Sequence, residues 1–137
     1  MEFSINRDIF LKSLSHAYGI IEKKTTLPIL SNVLIEAKNK KIKIIATDLD
    51  IIYSEEITNN DIKKEGSTTT SASVLYDILR KLEANSKIEF LLKDVNKLNL
   101  ISDNSKFNLL CISPDNFPLS NEDISEKPFE LPSQKIL

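Results

Sequence analysis

Few residues in this 137-residue sequence have the chemistry that catalysis requires. Asp48 and Asp50 are two apart, so in an extended segment both carboxylates point to one side, as an acid/base or metal-binding pair needs. No histidine or third ligand lies nearby in sequence, and a solvated turn between two strands is the expected reading. His16 is the sole histidine and falls on the polar face of a helical pattern, a weak position for a general base. Cys111 lies in the apolar run 109–112 with no neighbour to stabilise a thiolate, as a small core residue would. The two glycines, Gly19 and Gly66, suit a helix C-cap and a turn before a strand, leaving none for a phosphate-cradling loop. The expectation is a non-catalytic protein with no metal and no cofactor.

Composition sets the wider frame. At 41% hydrophobic and 28% charged residues the chain has the make-up of one ordinary soluble domain. The start of the chain has no basic and apolar segments of a signal peptide, and no apolar run approaches the roughly 20 residues that span a bilayer. A cytoplasmic protein without a membrane partner is expected, and one cysteine allows no internal disulfide. A net charge of −2 excludes gripping nucleic acid by bulk positive charge, so any DNA contact must be local.

These residues must be positioned by elements that repeat. Residues 2–6 alternate as a strand, and Phe10, Leu11, Leu14, Ala17 and Tyr18 then recur at helical spacing, with Asn6 as N-cap and Asp8, Lys12, Ser15 and His16 opposite. Strand-like runs follow at 32–37, 41–47 and 51–58. The same order returns as a strand at 67–71, a helix at 72–82 capped by Ser71, and runs at 87–93, 97–102 and 106–112. Phe10, Leu14 and Ala17 correspond to Leu75, Leu79 and Leu82 at one offset (75 − 10 = 79 − 14 = 82 − 17 = 65), the mark of an internal duplication. A third echo begins at the end, where Phe129, Leu131, Ile136 and Leu137 match Phe3, Ile5, Phe10 and Leu11. The chain is therefore expected to be part of a longer protein, with a polar, proline-punctuated linker at 114–128.

With no catalytic constellation, the informative features are surfaces. On the second helix Val74 and Ile78 widen the apolar arc beyond the stripe of Leu75, Tyr76, Leu79 and Leu82, which suggests burial under a loop or strand edge of the same domain, or against another chain. The polar faces carry Lys12 and His16 on the first helix and Ser73, Asp77, Arg80 and Lys81 on the second, with Lys23 and Lys24 just after the first. Helices side by side would merge these into one sparse basic strip.

The pattern resembles the sliding-clamp family, the β subunits of bacterial DNA polymerase III. The resemblance covers almost the whole chain. It is carried by Thr26-Leu27-Pro28-Ile29-Leu30-Ser31-Asn32, Ala46-Thr47-Asp48-Leu49-Asp50, the helix from Val74 to Leu82, and Asp115-Asn116-Phe117-Pro118. It implies an α+β DNA-clamp fold of two β-α-β-β-β units related by a pseudo-twofold axis, helices on the inner face and antiparallel sheets outside. Residues 1–120 would form the first clamp domain, and 121–137 the linker and truncated start of the second. It further implies a homodimeric ring that encircles duplex DNA and tethers the replicative polymerase, without chemistry of its own. By position Lys24 matches a DNA-contacting residue and Arg80 lies on the channel-side helix, with Lys12, Lys23 and Lys81 completing the strip; Ser73 occupies a further position that is basic in the family. Val74, Ile78, Phe107 and Leu109 fall where the family joins its subunits, whereas polymerase and clamp loader dock on domains outside this chain. The rival is a protein-interaction module with duplicated sheets that does not contact DNA, and a structure placing the two polar helix faces on opposite sides would favour it.

Overall fold

The computed structural model describes residues 1–21, 31–47, 51–94, 96–102 and 105–117. Its elements run β1 (Glu2–Asn6), α1 (Arg7–Ile21), β2 (Asn32–Lys38), β3 (Lys41–Thr47), β4 (Ile52–Thr58), β5 (Ile62–Lys64), β6 (Gly66–Ser71), α2 (Ala72–Lys81), β7 (Lys87–Asp94), β8 (Lys97–Ser102) and β9 (Ser105–Ile112), ending in a 3-10 turn at Pro114–Asn116. Both expected helix caps form. Asn6 Oδ1 accepts from the Asp8 and Ile9 amides at 2.8 and 3.2 Å, and Ser71 Oγ accepts from Val74 N at 3.3 Å, so each satisfies amides that lack intrahelical partners.

The fold is the expected α+β clamp architecture, with the two repeats merged, among the described residues, into one nine-stranded sheet in the order β4-β3-β2-β6-β9-β8-β7-β1-β5. Every pairing is antiparallel. The repeats exchange their first strands: β6 joins β2 of the first unit, and β1 joins β7 of the second. The outermost strands β4 and β5 are joined only by Asn59, Asn60 and Asp61, a link that reaches about 14 Å when extended. The two ends of the sheet are therefore close, and the sheet curls around the helices. Ser4 N donates to Asp61 O (3.2 Å) and Asn59 Nδ2 to Ser4 O (2.9 Å) across this closure.

Apolar side chains from α1, α2 and the inner face of the sheet share one core. At its centre Phe90 stacks on Phe3, with centroids 4.7 Å apart, and meets Phe10 at 4.8 Å. Phe10, Leu14, Ala17, Leu75 and Leu79 are wholly buried, as the helical spacing predicts.

Three details differ from the sequence reading. Gly19 is not a C-cap: α1 continues through it to Ile21, whose side chain is buried in the core and rewards another turn of helix. Pro114–Asn116 belongs to the domain rather than to a linker, because the turn delivers Phe117 onto Leu34 and Ile45 on the outer face of the sheet. The strand β5 was not read from the sequence, being too short to show a period of its own.

Candidate nucleic-acid interface and subunit edge

The helices lie side by side because the residue that opens α1 caps the end of α2. Arg7 Nε donates to Leu79 O at 2.8 Å and its terminal nitrogen to Arg80 O at 3.2 Å, satisfying carbonyls of the last turn with a cation. Asp8 closes the joint by pairing with Arg7 at 2.9 Å and accepting from Asn85 N at 3.0 Å. The Asn85 amide, and then the Arg7 guanidinium, hold the Asp8 carboxyl below its ordinary range. Further along, Tyr18 of α1 stacks on Tyr76 of α2 at 4.8 Å.

This joint places both polar faces on one side of the sheet. Lys12 and His16 on α1 are exposed, as are Ser73, Asp77, Arg80 and Lys81 on α2. The Arg80 guanidinium lies over the Tyr76 ring, 5.2 Å from its centroid, and 3.8 Å from the Asp77 carboxylate. The wall is thus sparsely basic, with its acidic members Asp8 and Asp77 each beside an arginine. Lys23 and Lys24 lie outside the described residues, as do Asp48 and Asp50.

Of the four candidate interface residues, Val74 is 47% exposed, and Ile78 and Phe107 are half-buried against the core. Leu109 points inward, at 4% exposure, and the exposed side chain on β9 is its neighbour Leu110, at 79%. The alternation of β9 puts Phe107, Leu109 and Cys111 on the core face and Leu110 on the other. Among the described residues this strand pairs with β8 alone from Ser105 to Leu109, and β6 meets it at Cys111 and Ile112. Burial raises the Cys111 thiol above its ordinary value, consistent with a core residue.

His16 is not alone, as its sequence position suggested. Its Nδ1 lies 3.0 Å from Glu55 Oε1, Tyr53 Oη donates to the same oxygen at 2.5 Å, and Ser13 Oγ donates to Oε2 at 3.1 Å. The Tyr53 hydroxyl first, then His16 and Ser13, hold Glu55 below its ordinary range; the Glu55 carboxylate, aided by burial, pushes the Tyr53 phenol up to about 12. The signal for Glu55 was present in the sequence: Tyr53, Glu55 and Ile57 alternate onto one face of β4, which puts a carboxylate where an apolar side chain belongs. Among the described residues no group of His, Cys, Asp and Glu could hold a metal ion, and no helix is long and apolar enough to cross a membrane.

Two helices side by side within one curled antiparallel sheet, built from a duplicated unit, define a DNA-clamp-type domain. The family model for the DNA polymerase III beta subunit, N-terminal domain, matches residues 1–121, and the chain belongs to that family. The beta sliding clamp of Buchnera aphidicola is 35% identical over 133 residues, covering 97% of this chain and 36% of the relative. That of Caulobacter vibrioides is 34% identical over 125 residues, covering 90% and 33%. Among solved structures, a sliding clamp (DNA polymerase III subunit beta) from Bartonella birtlesii bound to griselimycin superposes with a TM-score of 0.84 at 36% identity, over 93% of this chain and 33% of that one. The DNA polymerase III subunit beta of Pseudomonas aeruginosa gives 0.83 at 30% identity, over 93% and 33%. The chain thus spans about a third of the length of the curated relatives it matches.

Proposed function

We propose that this chain acts as the first domain of a ring-shaped processivity clamp, which encircles duplex DNA and holds the replicative polymerase to its template without catalysing a reaction. The observation that carries this reading is the helix pair: Arg7 and the Tyr18–Tyr76 stack hold α1 beside α2, and Lys12, Arg80 and Lys81 are exposed on the two helices, with Lys23 and Lys24 following α1 in sequence. A wall this sparse suits sliding. Each phosphate neutralised adds salt-dependent affinity, whereas a ring that is topologically closed needs little of it. The overall charge of −2 fits the same economy of contact.

The subunit edge is the exposed arc of α2, Val74 and Ile78, together with the half-paired β9, where Phe107 and Leu109 back the strand and its free backbone groups offer a template for another strand. Residues 1–120 form the domain in this reading and 121–137 lead to the next; the family match ending at 121 supports that boundary. The polymerase and clamp loader would dock on later domains, the ring would be a head-to-tail homodimer, and its place would be the cytoplasm.

The test uses the full-length protein loaded on a nicked circular plasmid. It should co-elute with the circle through gel filtration at physiological salt and be released when the plasmid is linearised. Equal retention on linear and circular DNA would refute encirclement. Ile78→Glu with Phe107→Glu should convert the full-length dimer to folded monomers by light scattering; an intact dimer would remove the proposed edge.

A further inference from the structure

Strand β9 loses a neighbour where β6 gives way to α2. The β6–β9 register ends with Thr70 opposite Cys111, and after Ser71 the chain turns helical. Among the described residues only β8 lies beside β9 from Ser105 to Leu109. Which groups are left at that edge follows from alternation, since consecutive residues of an antiparallel strand direct their N–H and C=O groups to opposite sides. Cys111 N donates to Asn96 O at 2.9 Å, on the β8 side, whereas Leu110 O accepts from Thr70 Oγ1 at 2.9 Å, on the β6 side. Lys106 and Asn108 therefore aim their backbone groups along the open side, and Leu110 stands where it begins. The same three residues carry their side chains on the outer face of the sheet, opposite to Phe107 and Leu109. Asn108 Oδ1 accepts from Asn99 Nδ2 on β8, which draws that side chain inward over the sheet. Leu110, at 79%, is the most exposed large apolar side chain among the described residues.

We infer that Leu110 is an outer-face anchor of the subunit edge, covered by an apolar side chain of the strand that a second copy of the full-length protein lays along β9. This rests on the reading of α2 and β9 as that edge. A lone leucine in water needs no explanation, but one at the mouth of an open hydrogen-bonding side does, because the strand that pairs with the backbone also buries the side chain. The added strand alternates as β9 does: where one of its residues meets Phe107 on the core face, the next lies beside Asn108 or Leu110 on the outer face. At the end beside Leu110 it must therefore be apolar on both faces, as strands covered on both sides are. The joint is then closed to water from outside as well as from the core side, where Val74, Ile78 and Phe107 are the apolar residues of the edge.

Dissociation of the full-length dimer on dilution, followed by energy transfer between donor- and acceptor-labelled subunits, tests the inference, with circular dichroism to establish folding. Leu110→Ser should raise the dimer Kd about a hundredfold, since losing the leucine contact costs about tenfold at each junction and a head-to-tail ring of two has two junctions. If serine prevents folding, Leu110→Thr, which suits a strand, should raise the Kd in the same direction. Ile9→Ser, which removes an apolar side chain 51% exposed on α1, should leave the Kd unchanged. A folded Leu110→Ser variant with the unsubstituted Kd overturns the inference, as does an equal rise from Ile9→Ser. Failure of the underlying reading shows separately, as a full-length dimer that survives Ile78→Glu with Phe107→Glu.

Discussion

Replacing Arg7 by methionine keeps most of the side-chain stem and removes the charge that joins the helices. The Arg7 side chain is only 15% exposed, so its 2.8 Å bond to Leu79 O is a partly buried, charge-assisted one, for which about 1.5 to 2 kcal/mol is a reasonable net value. The 3.2 Å bond to Arg80 O is exposed and adds about 0.5 kcal/mol, and loss of a cation at the α2 C-terminus costs a similar amount. The ion pair with Asp8 adds little, because that carboxylate is open to solvent. Leu79 O keeps the Leu82 amide at 3.3 Å, so it does not become an orphan, and the full desolvation penalty does not apply. The total is about 2.5 to 3 kcal/mol, or a fall of roughly 10 to 12 °C in Tm for a domain of this size. Urea denaturation followed by far-UV circular dichroism should show a lower midpoint at unchanged slope. Arg7→Lys should recover about half, since one ammonium cannot hold both carbonyls in fixed geometry. A loss below about 0.5 kcal/mol for Arg7→Met would refute the claim that this side chain caps α2.

The Tyr53–Glu55 contact predicts two pH effects of opposite sign. Tyr53, raised to about 12 in the folded chain against an ordinary value near 10, adds stability that is present below about pH 10 and lost as pH rises through about 12; a tyrosinate absorbance titration should show one of the three tyrosines ionising last, and simultaneous ionisation of all three while folded would contradict it. Glu55, held below its ordinary range, adds stability that is present above that range and lost as pH falls through it and beyond, so Glu55→Gln should flatten the acid limb of the stability profile, and an unchanged limb would count against the network. Gly19→Ala should stabilise the chain by about 0.5 to 1 kcal/mol in thermal denaturation, because a Cβ there meets nothing within 4 Å and alanine is the better helix former; destabilisation by a similar amount would mean a left-handed cap after all.

The local elements were legible because each residue's neighbours in sequence decide them. The runs at 41–47 and 97–102 are β3 and β8 to the residue, and the Ser71 cap fixes the start of α2. Pairing order was not legible, since a period of two says which face of a strand is buried but not which strand lies beside it; β1 meets β7 across more than half the chain, and β6 meets β2 across 29 to 39 residues. The site shows the same division. Lys12, Arg80, Lys81 and Val74 face solvent as their helical positions require, whereas Arg7 looked like one more surface charge until α2 was beside it. Glu55 was hidden for a related reason: its partners Ser13 and His16 are 42 and 39 residues away, on α1.

The three consecutive threonines of β6 connect this topology to the free edge. Thr68, Thr69 and Thr70 are buried where the two halves of the sheet meet, a place where valine or isoleucine would pack as well and β-branching alone does not explain the choice. At Thr69 and Thr70 the hydroxyls supply what those residues lack. Thr69 Oγ1 donates to Ile112 O at 2.7 Å and Thr70 Oγ1 to Leu110 O at 2.9 Å, so side chains take over the bonding just where the backbone ladder between β6 and β9 stops after two residue pairs. With those carbonyls satisfied, β9 can leave β6 without stranding buried polar groups. Its first residues, Ser105 to Leu109, then have, among the described residues, a strand on one side only. A continuous β6–β9 ladder would seal that strand inside the sheet and remove the edge proposed above. Thr70→Val keeps the shape and deletes the donor to Leu110 O; its cost should therefore fall on the seam and on the placement of the β9 edge, more than on the core packed by Phe3, Phe10 and Phe90.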